Sequence, residues 1–247
     1  EALMPMQAHR QHLFVVTKEQ SMDWSPQFEN EGFAQLLKRS LKQRKMLSTI
    51  VSYVTTGTAD KATEDGDNAS SSSPSSSNVL EKRTVLVMPD MIRYNNVTEN
   101  DIDLLVEELS IGGGGGVIEN GRGRSLQREK MPVNETNIFV CTHGKRDMRC
   151  GVCGPQVINA LSNTINQVNS SGGTADAIRA NIRGVTHVGG HKFAANVIIY
   201  KVDEKTGKVR GDWYGNVDEP GARLLVEEHI VKGNIVKELW RGSPNEE

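Results

Sequence analysis

Apolar positions along the chain come in short bursts of two periods, and the bursts predict strands alternating with helices. Residues 12–17 (HLFVVT) are a run of β-forming residues and read as a strand. Over 32–45, Phe33, Leu36, Leu37 and Leu41 recur at helical spacing above a basic opposite face, which predicts a helix. Residues 50–53 are a further strand candidate. The stretch 83–88 (RTVLVM) has the pattern of a buried strand and stops at Pro89-Asp90. Thr98 then suits the N-cap of a helix through 101–109, whose first turn is acidic.

The second half carries a clearer pattern. Residues 137–142 (NIFVCT) predict a strand that delivers a cysteine at its end. Val157, Ile158, Leu161, Ile165 and Val168 mark a helix over 155–168, with Pro155 suited to its first turn. Strands are expected over 179–185, 196–201 and 210–217, the last two joined by the charged turn DEKTGK. A helix over 224–231 follows Pro220 and stops at Gly233. Strand, helix, strand, strand, strand, helix is the order of a thioredoxin-like α/β sandwich. The first half shows a broken version of the same order. The expected fold is therefore α/β, with two thioredoxin-like domains: a degenerate, ligand-free one over 1–111 and a second over 133–247.

Two biased stretches interrupt this pattern. From 57 to 78 the composition collapses into Thr, Asp, Gly and seven serines around Pro74, which predicts a mobile insertion. Five consecutive glycines, Gly112 to Gly116, are followed by Gly121-Arg122-Gly123-Arg124. A phosphate-cradling loop would need a Lys-Ser/Thr pair behind it and a strand leading in, and neither is present. The stretch 112–132 reads as a flexible linker.

Charge narrows the class of partner. Lys and Arg total 29, Asp and Glu 31, for a net charge of −2 over 247 residues. That balance argues against a nucleic-acid or membrane-surface protein. No apolar run approaches bilayer-spanning length, so no membrane insertion is expected. The first residues, Glu1-Ala2-Leu3, show no initiator methionine and no signal or transit segment. A removed upstream segment is one expectation, and the totals alone do not locate the protein.

All three cysteines lie between Cys141 and Cys153. A disulfide-stapled domain would spread an even number along its length, whereas this cluster points to a metal centre or a redox thiol in a reducing compartment. Three spacings matter: C-x8-C from Cys141 to Cys150, C-x2-C from Cys150 to Cys153, and H-x3-H from His187 to His191. Cys150 and Cys153 could form a dithiol at a helix start, making a thiol–disulfide oxidoreductase, although Arg149 stands where an aromatic is usual. C-x2-C with H-x3-H also matches a small zinc site, but a whole helix and a strand intervene. Cys141-Thr142-His143-Gly144 resembles the first box of a Rieske protein, without its second box. The remaining reading puts Cys141 and Cys150 on one iron and His187 and His191 on the other iron of a [2Fe–2S] cluster. Gly189-Gly190 would let the backbone curl around it, and Lys145, Arg146 and Arg149 would offset its charge.

The stretches 139–151 (FVCTHGKRDMRCG) and 187–196 (HVGGHKFAAN) strongly resemble the sucrase/ferredoxin-like family. Met88-Pro89-Asp90-Met91 and the segment 233–242 (GNIVKELWRG) are similar to its fungal mitochondrial branch. The resemblance implies a C-terminal thioredoxin-like ferredoxin domain with a [2Fe–2S] cluster on Cys141, Cys150, His187 and His191. It implies an electron carrier or redox sensor, active in thiol redox quality control, with redox proteins as partners, and not an enzyme with its own organic substrate. It implies a mitochondrial location, matrix or intermembrane space, with the cytosol as alternative. Other residues read as structural. His143 would stand behind the ligands or be exposed, Asp147 would fix a loop, and Trp24, Trp213, Tyr214 and Trp240 would be buried. His9, His12 and His229 would be exposed or structural.

Overall fold

Side-chain alternation assigns successive residues of each strand to two different cores. The computed structural model describes residues 9–19, 21, 23–57, 80–111, 125–171, 177–189, 191–203 and 206–244, with only the backbone of His191 included. In β1 (Gln11–Thr17), Leu13 and Val15 face one apolar cluster while Phe14 faces another. The same split recurs in β3 (Arg83–Met88), with Val85 and Val87 opposed to Leu86 and Met88. In β6 (Glu135–Cys141) it sets Ile138 and Val140 against Phe139 and Cys141. A period of two with both faces apolar is what a sheet covered on both sides requires.

The first-half cluster packs Leu13, Val15, Val85 and Val87 beneath α1 (Gly32–Gln43) and α2 (Ile102–Ser110). The second packs Ile138, Val140, Val197 and Ile199 beneath α3 (Met148–Ser171), α4 (Glu219–Leu224) and the π-helical turn Leu225–Val231 that continues α4. The opposite faces of the two halves meet each other. Phe14 and Phe139 stack with ring centroids 3.8 Å apart and planes within 2°. Burial of each ring contributes about 1.5–3 kcal/mol, and the stacked pair adds about 0.5–1.5 kcal/mol.

Among the described residues all strands belong to one mixed sheet. Besides β1, β3 and β6 these are β2 (Thr49–Thr55), β4 (Ile92–Val97), β5 (Gln127–Lys130), β7 (Arg179–Val185), β8 (Val197–Val202), β9 (Val209–Tyr214) and β10 (Trp240–Gly242). Their order is β10-β9-β8-β6-β7-β2-β1-β3-β4-β5. β1 and β2 are parallel across α1, and β6 and β7 are parallel across α3, because a parallel pair needs a crossover. β3 and β8 add antiparallel to β1 and β6. The halves join through the antiparallel pair Val54 and Val185 of β2 and β7. The result is a mixed α/β architecture consistent with a thioredoxin-like fold.

Several elements depart from the sequence expectation. α3 begins at Met148, seven residues before the expected Pro155, which lies inside it. Asp147 supplies the reason: its Oδ1 accepts the Arg149 N–H at 3.1 Å and its carbonyl accepts the Gly151 N–H at 3.2 Å. One missing bond at Pro155 does not outweigh that start. The last helix likewise begins at Glu219, with Pro220 in its first turn and the Asp218 carboxylate accepting the Gly221 N–H at 2.8 Å. Thr98 is the expected N-cap, and with Asp101 it forms a capping box at the head of a 3-10 turn over Glu99–Asp101 that leads into α2. β5 occupies part of the expected linker. The glycine run 112–116 and residues 58–78 of the serine-rich stretch lie outside the described residues. His9, His12 and His229 are all buried, and His12 Nε2 lies 2.8 Å from Ser52 Oγ.

Candidate metal centre

Parallel pairing brings the two halves of the site together. Cys141, the last residue of β6, is in register with Val185, the last of β7, so both chains leave the sheet at one edge. Ligand sites of open α/β sheets gather at such carboxyl ends. From β6 the chain makes a turn in which His143 O accepts the Arg146 and Asp147 N–H groups at 3.2 and 3.0 Å. Asp147 then starts α3 and also binds the Arg149 guanidinium at 3.0 and 2.8 Å. Cys150 falls in the first turn, over the end of β6. Gly154 permits this approach. A Cβ at that position would overlap the Cys141 carbonyl oxygen and lie 2.8 Å from Thr142 Cγ2.

Beyond β7 the chain presents His187. Its Nδ1 is 3.7 Å from Cys141 Sγ and 4.0 Å from Cys150 Sγ, and the three donor atoms lie within 4.8 Å of one another. Both cysteines are fully buried and none of the three thiols is in a disulfide. The hydrogen bond between the two thiols pulls their titrations apart. It holds Cys141 below the ordinary thiol range and, with burial, drives Cys150 well above it. A metal ion would displace the shared proton, since thiolates are the ligands.

The chain matches the family model of sucrase/ferredoxin-like proteins over residues 3–242. The chain belongs to the sucrase/ferredoxin-like family. Among curated relatives, altered inheritance of mitochondria protein 32 of Candida glabrata is 30% identical over 190 residues, 66% of this chain and 56% of the relative. The protein of that name from Saccharomyces kudriavzevii is 35% identical over 181 residues, 63% of this chain and 53% of the relative. Actin patches distal protein 1 of Saccharomyces cerevisiae is 29% identical over 161 residues, 61% of this chain and 47% of the relative. The chain thus spans about half the length of the curated relatives it matches. No solved structure matches it.

Within this family member the first half walls the site. His143 is fully buried, with Nε2 donating to the Trp24 carbonyl at 3.4 Å and Nδ1 accepting the His187 N–H at 3.4 Å. Burial lowers its pKa, so the ring stays neutral with its proton on Nε2. Trp24 and Phe28 pack edge-on against it at 5.8 and 6.1 Å. Lys145 donates to the Asp23 carbonyl at 3.2 Å and Arg146 to the Pro26 carbonyl at 3.0 Å. These basic residues tie the cysteine loop to the first half, a role beyond the charge compensation their sequence position suggests. Trp24, Phe28 and Gly154 are further parts of the site, and of these only Gly154, inside C-G-V-C-G-P, carries a local signal in the sequence.

The other candidate ligands stand as follows. His191 opens a 3-10 turn over His191–Phe193, and its side chain lies outside the described residues. Gly189 has φ +91°, a left-handed conformation that glycine adopts without strain. Cys153 packs against the second-half core, apart from the Cys141, Cys150 and His187 group. Two thiols and one imidazole suit a thiophilic metal. For metal–sulfur and metal–nitrogen bonds of about 2.3 and 2.0 Å, one tetrahedral ion sets sulfur and nitrogen about 3.5 Å apart. The observed distances are close to that. Among the described residues no helix is long and apolar enough to cross a membrane.

Proposed function

We propose that this chain is a [2Fe–2S] protein whose cluster is held by Cys141, Cys150, His187 and His191. Residues 133–247 would form the thioredoxin-like ferredoxin domain and residues 1–111 a ligand-free domain that encloses it. The reading rests on one observation above the rest: Cys141, Cys150 and His187, far apart in sequence, present their donor atoms within 4.8 Å at one sheet edge. Family membership and the H-x3-H spacing that adds His191 support it.

When bound, such a cluster supplies one-electron chemistry, and histidine ligation raises its potential above the about −400 mV of plant-type ferredoxins. The chain's own residues provide the setting. His143 holds the His187 backbone, Gly154 lets α3 approach Cys141, and Trp24 and Phe28 keep water from the buried side. The function is electron transfer or redox sensing in thiol redox control. The name shared by several relatives, altered inheritance of mitochondria, favours a mitochondrial location.

The short sulfur–nitrogen distances favour a second reading, a single tetrahedral ion such as zinc. Protein purified from iron-replete cells separates the two. A visible charge-transfer band, with two irons and two acid-labile sulfides per chain, is expected for the cluster. A colourless protein with one zinc per chain would establish the second reading, and a colourless metal-free protein would dismiss both.

A further inference from the structure

Between the first half and the cysteine loop lies a cleft of about 320 Å³, bordered by His187 but separate from the thiols. Its floor is apolar, made by Pro26, Phe28, Ile50 and Val51. Three charged residues line it: Lys38 on α1, Glu29 in the turn before α1, and Arg146 in the cysteine loop. Arg146 gives one guanidinium N–H to the neutral Pro26 carbonyl. Among the described residues none of the three has an ion-pair partner. An unpaired surface lysine alone means nothing. Two cations and one carboxylate around a single apolar floor are a pattern, and the pattern has a complement.

We propose that this cleft binds a short peptide-like zwitterion of net charge −1, with two carboxylates, one ammonium and a small apolar middle. One carboxylate pairs with the Arg146 guanidinium, which recognises carboxylates through two parallel hydrogen bonds. The other pairs with Lys38, the ammonium with Glu29, and the middle lies on Phe28 and Val51. The volume falls in the usual range for small-molecule sites, about 300–1,000 Å³. A simple dicarboxylate would satisfy the cations and leave Glu29 unpaired. A diamine would meet repulsion from Lys38 and Arg146. The assignment goes beyond the metal reading and does not require it, because among the described residues neither cysteine ligand borders the cleft and His187 does.

Calorimetry on the full chain tests it with S-methylglutathione, a two-carboxylate, one-ammonium probe without a free thiol, and with glutarate, which lacks the amine. S-methylglutathione is expected to bind once per chain. Lys38→Glu and Arg146→Glu should each weaken it at least tenfold. Glu29→Gln should weaken it several-fold while leaving glutarate unchanged or tighter. Lys232→Glu, a charge reversal on another face, should change nothing. Because Arg146 also braces the loop, the exposed Lys38 variant carries the decision if Arg146→Glu fails to fold. A further readout is a shift of the His187 ring signals in NMR on saturation. Absence of saturable binding at millimolar probe, or an equal loss in Lys232→Glu, overturns the proposal. Repeating the titration on a colourless Cys141→Ser chain separates the two readings, since binding there survives only if the cleft works without the metal.

Discussion

His143 and His187 are joined by a hydrogen bond from the His187 backbone N–H to the His143 ring at 3.4 Å. That bond links the cysteine loop to the histidine turn without any metal. With the other ring nitrogen on the Trp24 carbonyl, one buried imidazole spans three segments. His143→Ala should therefore cost about 1–3 kcal/mol, the penalty for leaving buried partners unsatisfied. It should also reduce metal retention during dialysis against a chelator. Urea unfolding and metal analysis measure the two effects, and wild-type values in both would remove His143 from the site.

Ligand identity is decided by exchanging sulfur for oxygen. Cys141→Ser and Cys150→Ser should each lose the visible band and most of the iron. Cys153→Ser should keep both, because Cys153 packs against the second-half core. Iron loss from the Cys153 variant with retention in the Cys141 variant would reverse the ligand assignment and put Cys153 in the place of Cys141.

Much of this arrangement is written in local pattern, and some of it is not. The strands 83–88 and 179–185 are legible to the residue, the first because its β-forming run ends at Pro89, the second because Ile182 and Val185 lead into the polar Thr186-His187. The early start of α3 is illegible from propensity, since Gly151, Gly154 and Pro155 all disfavour a helix, and the carboxylate of Asp147 overrides them locally. That Cys141 sits beside the chain leading to His187 follows from parallel pairing, which spacing alone does not specify. The walls supplied by Trp24 and Phe28, and the stacking of Phe14 on Phe139, are contacts over more than a hundred residues with no periodic signature.

Gly154 gives a test of packing. Its missing Cβ is what lets the first turns of α3 lie on the end of β6, with the Cys141 carbonyl and Thr142 Cγ2 occupying the space a side chain needs. Gly154→Ala presses a methyl group against the Cys141 backbone carbonyl, so α3 must shift away from Cys141. Overpacking of this kind typically costs about 1–3 kcal/mol. The urea midpoint should fall and the metal should bind more weakly. A variant with unchanged midpoint and metal content would mean that α3 does not approach the strand end this closely.

Acid should weaken the fold in a window set by buried histidines. His229, 3% exposed and 2.8 Å from Tyr214 Oη, has its pKa lowered to about 4 by burial and by Lys201 and Arg210. His12 moves in the same direction, through burial and His9. In the unfolded chain a histidine titrates near about 6.5. Between those values the unfolded chain binds a proton that the folded chain refuses, so stability is complete above the unfolded value and is lost as pH falls toward the folded one. For His229 the slope is about 1.4 kcal/mol per pH unit and the total about 3 kcal/mol. Asp212 acts oppositely: burial raises its pKa above the ordinary carboxylate value, so as pH falls the folded chain takes up that proton before the unfolded chain does and offsets part of the drop. Urea midpoints of the Cys141→Ser chain, in which metal release plays no part, should drop steadily from about pH 6.5 to about pH 5. His229→Gln should flatten that drop. If the slope is the same with glutamine in place, His229 is not held neutral by the fold and the origin of the acid sensitivity lies elsewhere.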